Sequence, residues 1–169
     1  MKRLIIAEKP SVAQAIAAVL NIREKKPGYL EGADVLVSWC AGHLVELAAP
    51  ESYDARYARW RQEDLPIVPG PWKYEVIEKS ARQFETLKRL MRRADVSEVV
   101  NACDAGREGE LIFRFVYEVA KCKKPMRRLW ISSMEDDAIR RGFAELRTGS
   151  EYDPLYALSL IHISEPTRP

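Results

Sequence analysis

The sequence predicts an α/β fold: a Rossmann-like, mostly parallel sheet with flanking helices. Three observations carry this. Short apolar runs of strand length alternate with longer helix-like stretches in the order β–α, β, β–α, β–α, β–α, and such alternation places helical crossovers between parallel strands. Turn residues such as Pro27-Gly28 and Gly42-His43 fall between the runs, where they punctuate elements rather than interrupt them. The 169 residues match one ordinary domain with a core of its own.

Each element has a local reason. Leu4–Ala7 is a short apolar run suited to a buried strand. Ser11 with Gln14 three residues on has the spacing of a capping box, and Val12–Leu20 reads as the helix that follows. Asn21–Gly32 is polar and reads as a loop or hairpin. Asp34–Cys40 is a second strand, and Gly42-His43-Leu44 leaves it. Pro50–Pro71 holds four prolines and reads as an extended surface excursion, after which Trp72–Ile77 alternates like a strand. Ser80 with Gln83 predicts a second capping box and a helix to about Arg93. Glu98–Ala102 is a strand, Leu111–Lys121 an apolar helix and Arg128–Ile131 a further strand. Ser133 with Asp136 predicts a third cap, opening a helix to about Leu146 that stops near Gly149.

Composition limits the function classes. Apolar residues at 47% and charged residues at 31% fit a soluble globular chain and exclude a disordered one. No apolar run approaches the roughly 18 residues of a membrane span, so no membrane role is expected. Glu8 comes too early for a secretory signal. Cys40, Cys103 and Cys122 are odd in number and widely spaced, which suggests neither a disulfide framework nor a zinc knuckle and points to the cytoplasm. With 27 Lys+Arg against 25 Asp+Glu, any nucleic-acid binding must come from local patches.

In open α/β sheets, ligands bind beyond the carboxyl ends of the strands. That rule selects Glu8, just after the first strand, and Asp104, just after the Glu98–Ala102 strand, with Glu108 four residues on. Carboxylates gathered on one edge repel one another unless a hard cation such as Mg²⁺ shares their charge. Lys9 and Arg107 are interleaved with these acids, and a mixed cluster of this kind suits a phosphodiester. On spacing alone the same residues read equally well as solvated acids and ordinary surface ion pairs. His43 is a weaker candidate, because a lone histidine is more often structural. Arg59-Trp60-Arg61 places an aromatic between two cations, a pattern that can track a backbone and stack on a base. The basic residues of 82–93 read as a solvated face, and those of 121–128 are ambiguous.

Taken in order, Ile5-Ile6-Ala7-Glu8-Lys9-Pro10-Ser11, Gly42-His43-Leu44-Val45-Glu46-Leu47, Leu65-Pro66-Ile67 and Asp104-Ala105-Gly106-Arg107-Glu108-Gly109-Glu110 closely resemble the N-terminal part of type IA DNA topoisomerases, the topoisomerase III branch most of all. The resemblance implies a Toprim domain over residues 1–149, the start of the following domain over 150–157, and an enzyme that cuts, passes and reseals single DNA strands with Mg²⁺ and without a nucleotide cofactor. It implies that Glu8, Asp104 and Glu108 are metal ligands and that Glu8 and Lys9 are catalytic. It makes DNA, single-stranded or underwound, the partner and places Lys9 on the scissile phosphate, while the residue pattern itself offers Arg107, His43, Arg59, Trp60 and Arg61 as further contacts. The family motif has an acid where Gly106 stands, which implies weaker metal binding and leaves one ion or two open. None of the seven tyrosines sits in the family's nucleophile context, so the chain is expected to be an inactive fragment by itself. A stand-alone Toprim nuclease or primase-like protein and a non-catalytic binding module are the alternatives. From Leu158 the chain leaves the family pattern and is similar to a translated sequencing adapter, so 158–169 is expected to be a non-native tail that does not dock.

Overall fold

The computed structural model describes residues 1–59, 61–67 and 70–164, with side chains described as far as Leu160. At its centre lies β1 (Lys2–Ala7). Leu4, Ile5, Ile6 and Ala7 have no exposure, the signature of a strand covered on both faces rather than one. It pairs in parallel with β4 (Val35–Trp39) on one side and β7 (Val96–Ala102) on the other, so that Ile5 stands opposite both Val37 and Val100. The hairpin of β2 (Glu24–Lys26) and β3 (Tyr29–Glu31) adds antiparallel to β4. Beyond β7, β8 (Met126–Arg128) is parallel and β9 (Arg147–Thr148) antiparallel. The sheet order is β2-β3-β4-β1-β7-β8-β9.

Successive side chains of β1 point to opposite faces, which divides the core. Ile5 and Ala7 pack with Ala13 and Ile16 of α1 (Pro10–Val19) and Ile139 of α4 (Asp136–Ala144). Leu4 and Ile6 pack with Phe84, Leu87, Leu90 and Met91 of α2 (Ala81–Arg92) and with Leu111, Ile112 and Phe115 of α3 (Arg107–Val119). Full burial of each large aliphatic here contributes about 1.5–3 kcal/mol. The chain runs from β1 to β4 on one side, then crosses to β7 on the other, with α1 and α3 on opposite faces. The order therefore reverses between β1 and β7, and the crevice that such a reversal opens lies at their carboxyl ends.

Several local expectations are corrected. Trp72–Ile77 contributes only β6 (Tyr74–Val76), which pairs antiparallel with β5 (Val45–Leu47) in a separate two-stranded sheet. This sheet sits against α3 through Tyr74 and Phe115, whose rings meet edge to face at 4.9 Å. Strand β8 covers Met126–Arg128 rather than Arg128–Ile131, and β9 has no signal in the sequence, since two residues carry no period. Neither Ser11 nor Ser80 makes a side-chain cap. Pro10 opens α1, needing no partner for its missing N–H, and Gln83 donates instead to the Trp39 carbonyl at 2.7 Å. Ser133 accepts from the Glu135 amide, at 3.2 Å, ahead of α4. The capping box among these elements joins Thr148 and Glu151.

The expectation that the segment from Leu158 does not dock fails at Ser159 and Leu160. Helix α5 runs over Asp153–Ser164. Ser159 is 4% exposed, with its hydroxyl 2.8 Å from the Leu155 carbonyl and 3.1 Å from that of Arg107, and Leu160 packs against the core. Tyr152, Tyr156, Ser159 and Leu160 follow the i, i+4, i+7, i+8 spacing of one helix face. Taken alone, the segment from Leu158 hides that period.

Candidate active site

The site is built on the carboxyl ends of β1 and β7. Ala7 stands opposite Ala102 in the parallel register, so Glu8 and the Cys103-Asp104 step leave the sheet side by side, as the βα pattern predicts. Glu8 continues the Leu4–Ile6 side-chain alternation and is 8% exposed. Its Oε2 is buried without a hydrogen-bond partner among the described residues. Lys9 follows, its ammonium 3.7 Å from Glu8 Oε1 and 3.5 Å from Asp104 Oδ2. One cation thus bridges the acids of two neighbouring strands.

His43 and Glu108 form a second pair. After β4, Ala41 and Gly42 adopt φ of 56° and 81°, a left-handed turn that glycine takes without strain and alanine does not. The turn is fastened to β1's exit by the Gly42 amide, which donates to the Glu8 carbonyl at 3.2 Å. It delivers the His43 Nε2 into a hydrogen bond with the carboxylate of Glu108. Glu108 is the second residue of α3, where an acid complements the helix dipole. Arg107, its exposed neighbour, opens that helix.

Sequence reasoning missed what holds Asp104. A Cβ added at Gly109 would stand 2.2 Å from the Asp104 carbonyl oxygen and 2.8 Å from its amide nitrogen, so α3 passes the turn at a distance only glycine permits. Beneath lies Arg128, 1% exposed. Its Nη2 donates to the Asp104 carbonyl at 2.7 Å, and its Nη1 faces the carbonyls of Cys103, Leu129 and Asn101 at 2.7, 2.9 and 3.1 Å. The Glu110 carboxylate, equally buried, lies 3.1 Å from Arg128 Nε as an ion pair without hydrogen-bond alignment. It accepts from Asn101 Nδ2 at 3.0 Å and Arg114 Nε at 2.8 Å. Burial pushes the Arg128 pKa below the ordinary guanidinium value, against the opposing pull of Glu110. Arg128 therefore does not belong to a solvated basic patch, and Lys124 of the same run donates to the Val96 carbonyl at 2.5 Å. Trp130 lies over the Arg128 guanidinium at 4.9 Å and stacks on Tyr152 at 5.0 Å between ring centroids.

Of the remaining candidates, Arg59 is exposed at the end of the helical turn Ala55–Ala58. Arg61 lies 3.6 Å from Glu63. Trp60 lies outside the described residues.

The donor chemistry suits a hard divalent cation: carboxylate oxygens only, one of them buried and unpartnered at Glu8. The three acids share an edge yet do not close on one point. Among the described residues no group of three His, Cys, Asp or Glu side chains is close enough to hold a metal. The arrangement fits an ion held by one or two protein carboxylates, with water and substrate oxygens completing its shell. Among the described residues no helix is long and apolar enough to cross a membrane.

Comparison with known proteins places this edge in context. Residues 3–134 match the Toprim domain family. The chain is 52% identical over 156 residues to "DNA topoisomerase 3" of Bacillus cereus and 51% identical over 155 residues to that of Bacillus subtilis. Each match covers 92% of this chain and 21% of the relative, so the chain spans about a fifth of the length of these proteins. Among solved structures, full-length topoisomerase I from Thermotoga maritima has a similar fold, with a TM-score of 0.56 and 21% identity over 86% of this chain and 21% of that one.

Proposed function

The chain belongs to the Toprim domain family, and from that premise we propose that it is the Toprim region of a type IA DNA topoisomerase of the topoisomerase III kind, an isomerase that cuts, passes and reseals single DNA strands. The observation that carries this reading is the Lys9 ammonium suspended between Glu8 and Asp104 at the topological switch, in a chain half identical to proteins named DNA topoisomerase 3.

In this reading the substrate is single-stranded or underwound DNA, in the cytoplasm. Lys9 binds a non-bridging oxygen of the scissile phosphate. It can do so without moving far, because its side chain is 56% exposed and its present partners are acids that a bound cation would engage in its place. The buried Oε2 of Glu8 is poised to accept a proton or orient the phosphate. Glu8 and Asp104, with Glu108 through water, would hold Mg²⁺, which supplies positive charge to the phosphodiester. Release of the His43–Glu108 hydrogen bond would free His43 Nε2 for a neighbouring phosphate, and Arg107, Arg59, Trp60 and Arg61 would follow the strand.

A chimera tests the reading. Residues 1–157 replace the matching segment of the Bacillus subtilis DNA topoisomerase 3, and the product is assayed on negatively supercoiled plasmid. Mg²⁺-dependent relaxation that disappears with Lys9→Ala supports the assignment. A folded chimera without relaxation, or one indifferent to Lys9→Ala, overturns it.

A further inference from the structure

We propose that Arg128 is a positioning residue for the Asp104 turn, and that through Glu110 and Arg114 it ties this turn to the start of α5. The part that concerns ligand binding rests on the reading of Asp104 as a site acid. The structural part does not.

A guanidinium taken out of water costs several kcal/mol unless its charge and its donors are matched. Arg128 is matched, but mostly by backbone. Its Nη atoms reach carbonyls of Asn101, Cys103 and Asp104 in succession, along with Leu129. These carbonyls lie where β7 ends and its ladder with β8 runs out: the last rung is the Leu129 amide donating to Asn101 at 2.9 Å. Carbonyls beyond the last rung need other donors when buried. Arg128 supplies them from within the neighbouring strand, which fixes where the chain stands as it enters Asp104. A lysine could not do this, since one ammonium cannot span carbonyls three residues apart in a planar fork.

The counter-charge continues the path. Glu110 engages Arg128, Asn101 and Arg114 together. Arg114 then donates to the Gly149 carbonyl at 2.8 Å and meets Asp153 Oδ1 at 2.8 Å, while its guanidinium lies 5.3 Å over the Tyr156 ring. Gly149 and Asp153 introduce α5. Two cations and two anions thus form one line from the Asp104 carbonyl to the element that leaves the sheet.

Native-state amide exchange of the 169-residue chain tests this, with binding of an eight-nucleotide oligothymidine as a second readout and the thermal midpoint in parallel. Arg128→Lys should speed exchange at residues 103–106 by about threefold or more, leave the amides of β1 and β4 protected, and weaken oligothymidine binding. Asp153→Asn should do the same by about twofold. Its side chain is 60% exposed, so this variant folds even where Arg128→Lys does not. Unchanged exchange at 103–106 in a folded Arg128→Lys overturns the proposal. So does unchanged exchange in Asp153→Asn if the first variant does not fold, or a uniform rise across the sheet in either. Faster local exchange with unaltered oligothymidine binding upholds the positioning role and removes Asp104 from the binding site, which separates the two failures.

Discussion

Lys9 Nζ lies 3.5 Å from Asp104 Oδ2, so the cation that follows one strand neutralises the acid that follows the next. That pairing competes with any divalent ion. Lys9→Gln should therefore tighten Mg²⁺ binding in the absence of phosphate. Removing one charge at this distance between half-exposed groups is worth about 1 kcal/mol, or about fivefold in affinity. The same variant should weaken binding of inorganic phosphate. Titration calorimetry with each ligand reads both effects, and a loss of Mg²⁺ affinity would contradict the pairing.

Gly106 can accept the acid that the resemblance leads one to expect there. Its φ of 177° is ordinary extended backbone, and a Cβ would meet nothing within 4 Å. Gly106→Asp should fold with an unchanged thermal midpoint and bind Mg²⁺ about tenfold more tightly, because a further anionic oxygen replaces water in the shell. Calorimetry on the two proteins decides it, and equal affinities would show that position 106 does not face the ion.

Gly109 is the opposite case. Gly109→Ala places a methyl 2.2 Å from a backbone oxygen, which only a shift of α3 or of the Asp104 turn relieves. A destabilisation of about 1–3 kcal/mol is expected, measured by urea unfolding, with altered amide shifts concentrated at residues 103–109. A neutral substitution would mean that the turn is free to move.

By itself the 169-residue chain is expected to leave supercoiled plasmid intact with Mg²⁺ present. Strand cleavage in the resembled family needs a tyrosine opposite the leaving oxygen, and no tyrosine here stands in that motif. Gel analysis of topoisomers is the measurement. Relaxed topoisomers would reveal a nucleophile in this chain, and nicked circles without protein-linked ends would favour a hydrolytic nuclease.

A pH dependence arises far from the site. The hydrogen bond from Arg93 holds the Asp95 carboxyl at about 2, and hydrogen bonds from Lys2 and Arg93 lower Glu31. Both pKa values are depressed in the fold, so their stabilisation is full above the ordinary values of 3.8 and 4.5 and is lost as pH falls towards about 2. Arg93→Gln should lower the thermal midpoint at pH 7, and the gap to the parent should close between about pH 4.5 and 2. A gap that stays constant over that range would show that these pairs do not drive it.

The parts of this molecule legible in the sequence are those with period or punctuation. The Leu4–Ala7 run, the strand before Asp104 and the helices after Ser80 and Gly106 declare themselves through burial on both faces or through helical spacing. The edge position of Glu8 and Asp104 follows from them. Gly109 and Arg128 do not declare themselves, because their roles depend on what approaches from another strand. A glycine within a helix and an arginine in a basic run look ordinary until the neighbouring chain is in place. Capping boxes misled for the same reason. Gln83 has the right spacing for a cap but finds a better acceptor at Trp39. The helix through Ser159 is hidden because its face is completed by Tyr152 and Tyr156, upstream of Leu158.

The two outermost strands of the large sheet are short and carry charge. On one side β2 is Glu24-Lys25-Lys26, every residue exposed, and on the other β9 is Arg147-Thr148. A sheet ending in a bare apolar strand such as β4 would offer unpaired amides and carbonyls to a second chain. Here a second chain meets three charged, exposed side chains, or only two residues of ladder. Such margins discourage edge-to-edge association. The protein should stay dispersed at the concentrations that spectroscopy requires, and a variant carrying valine at positions 24–26 should not.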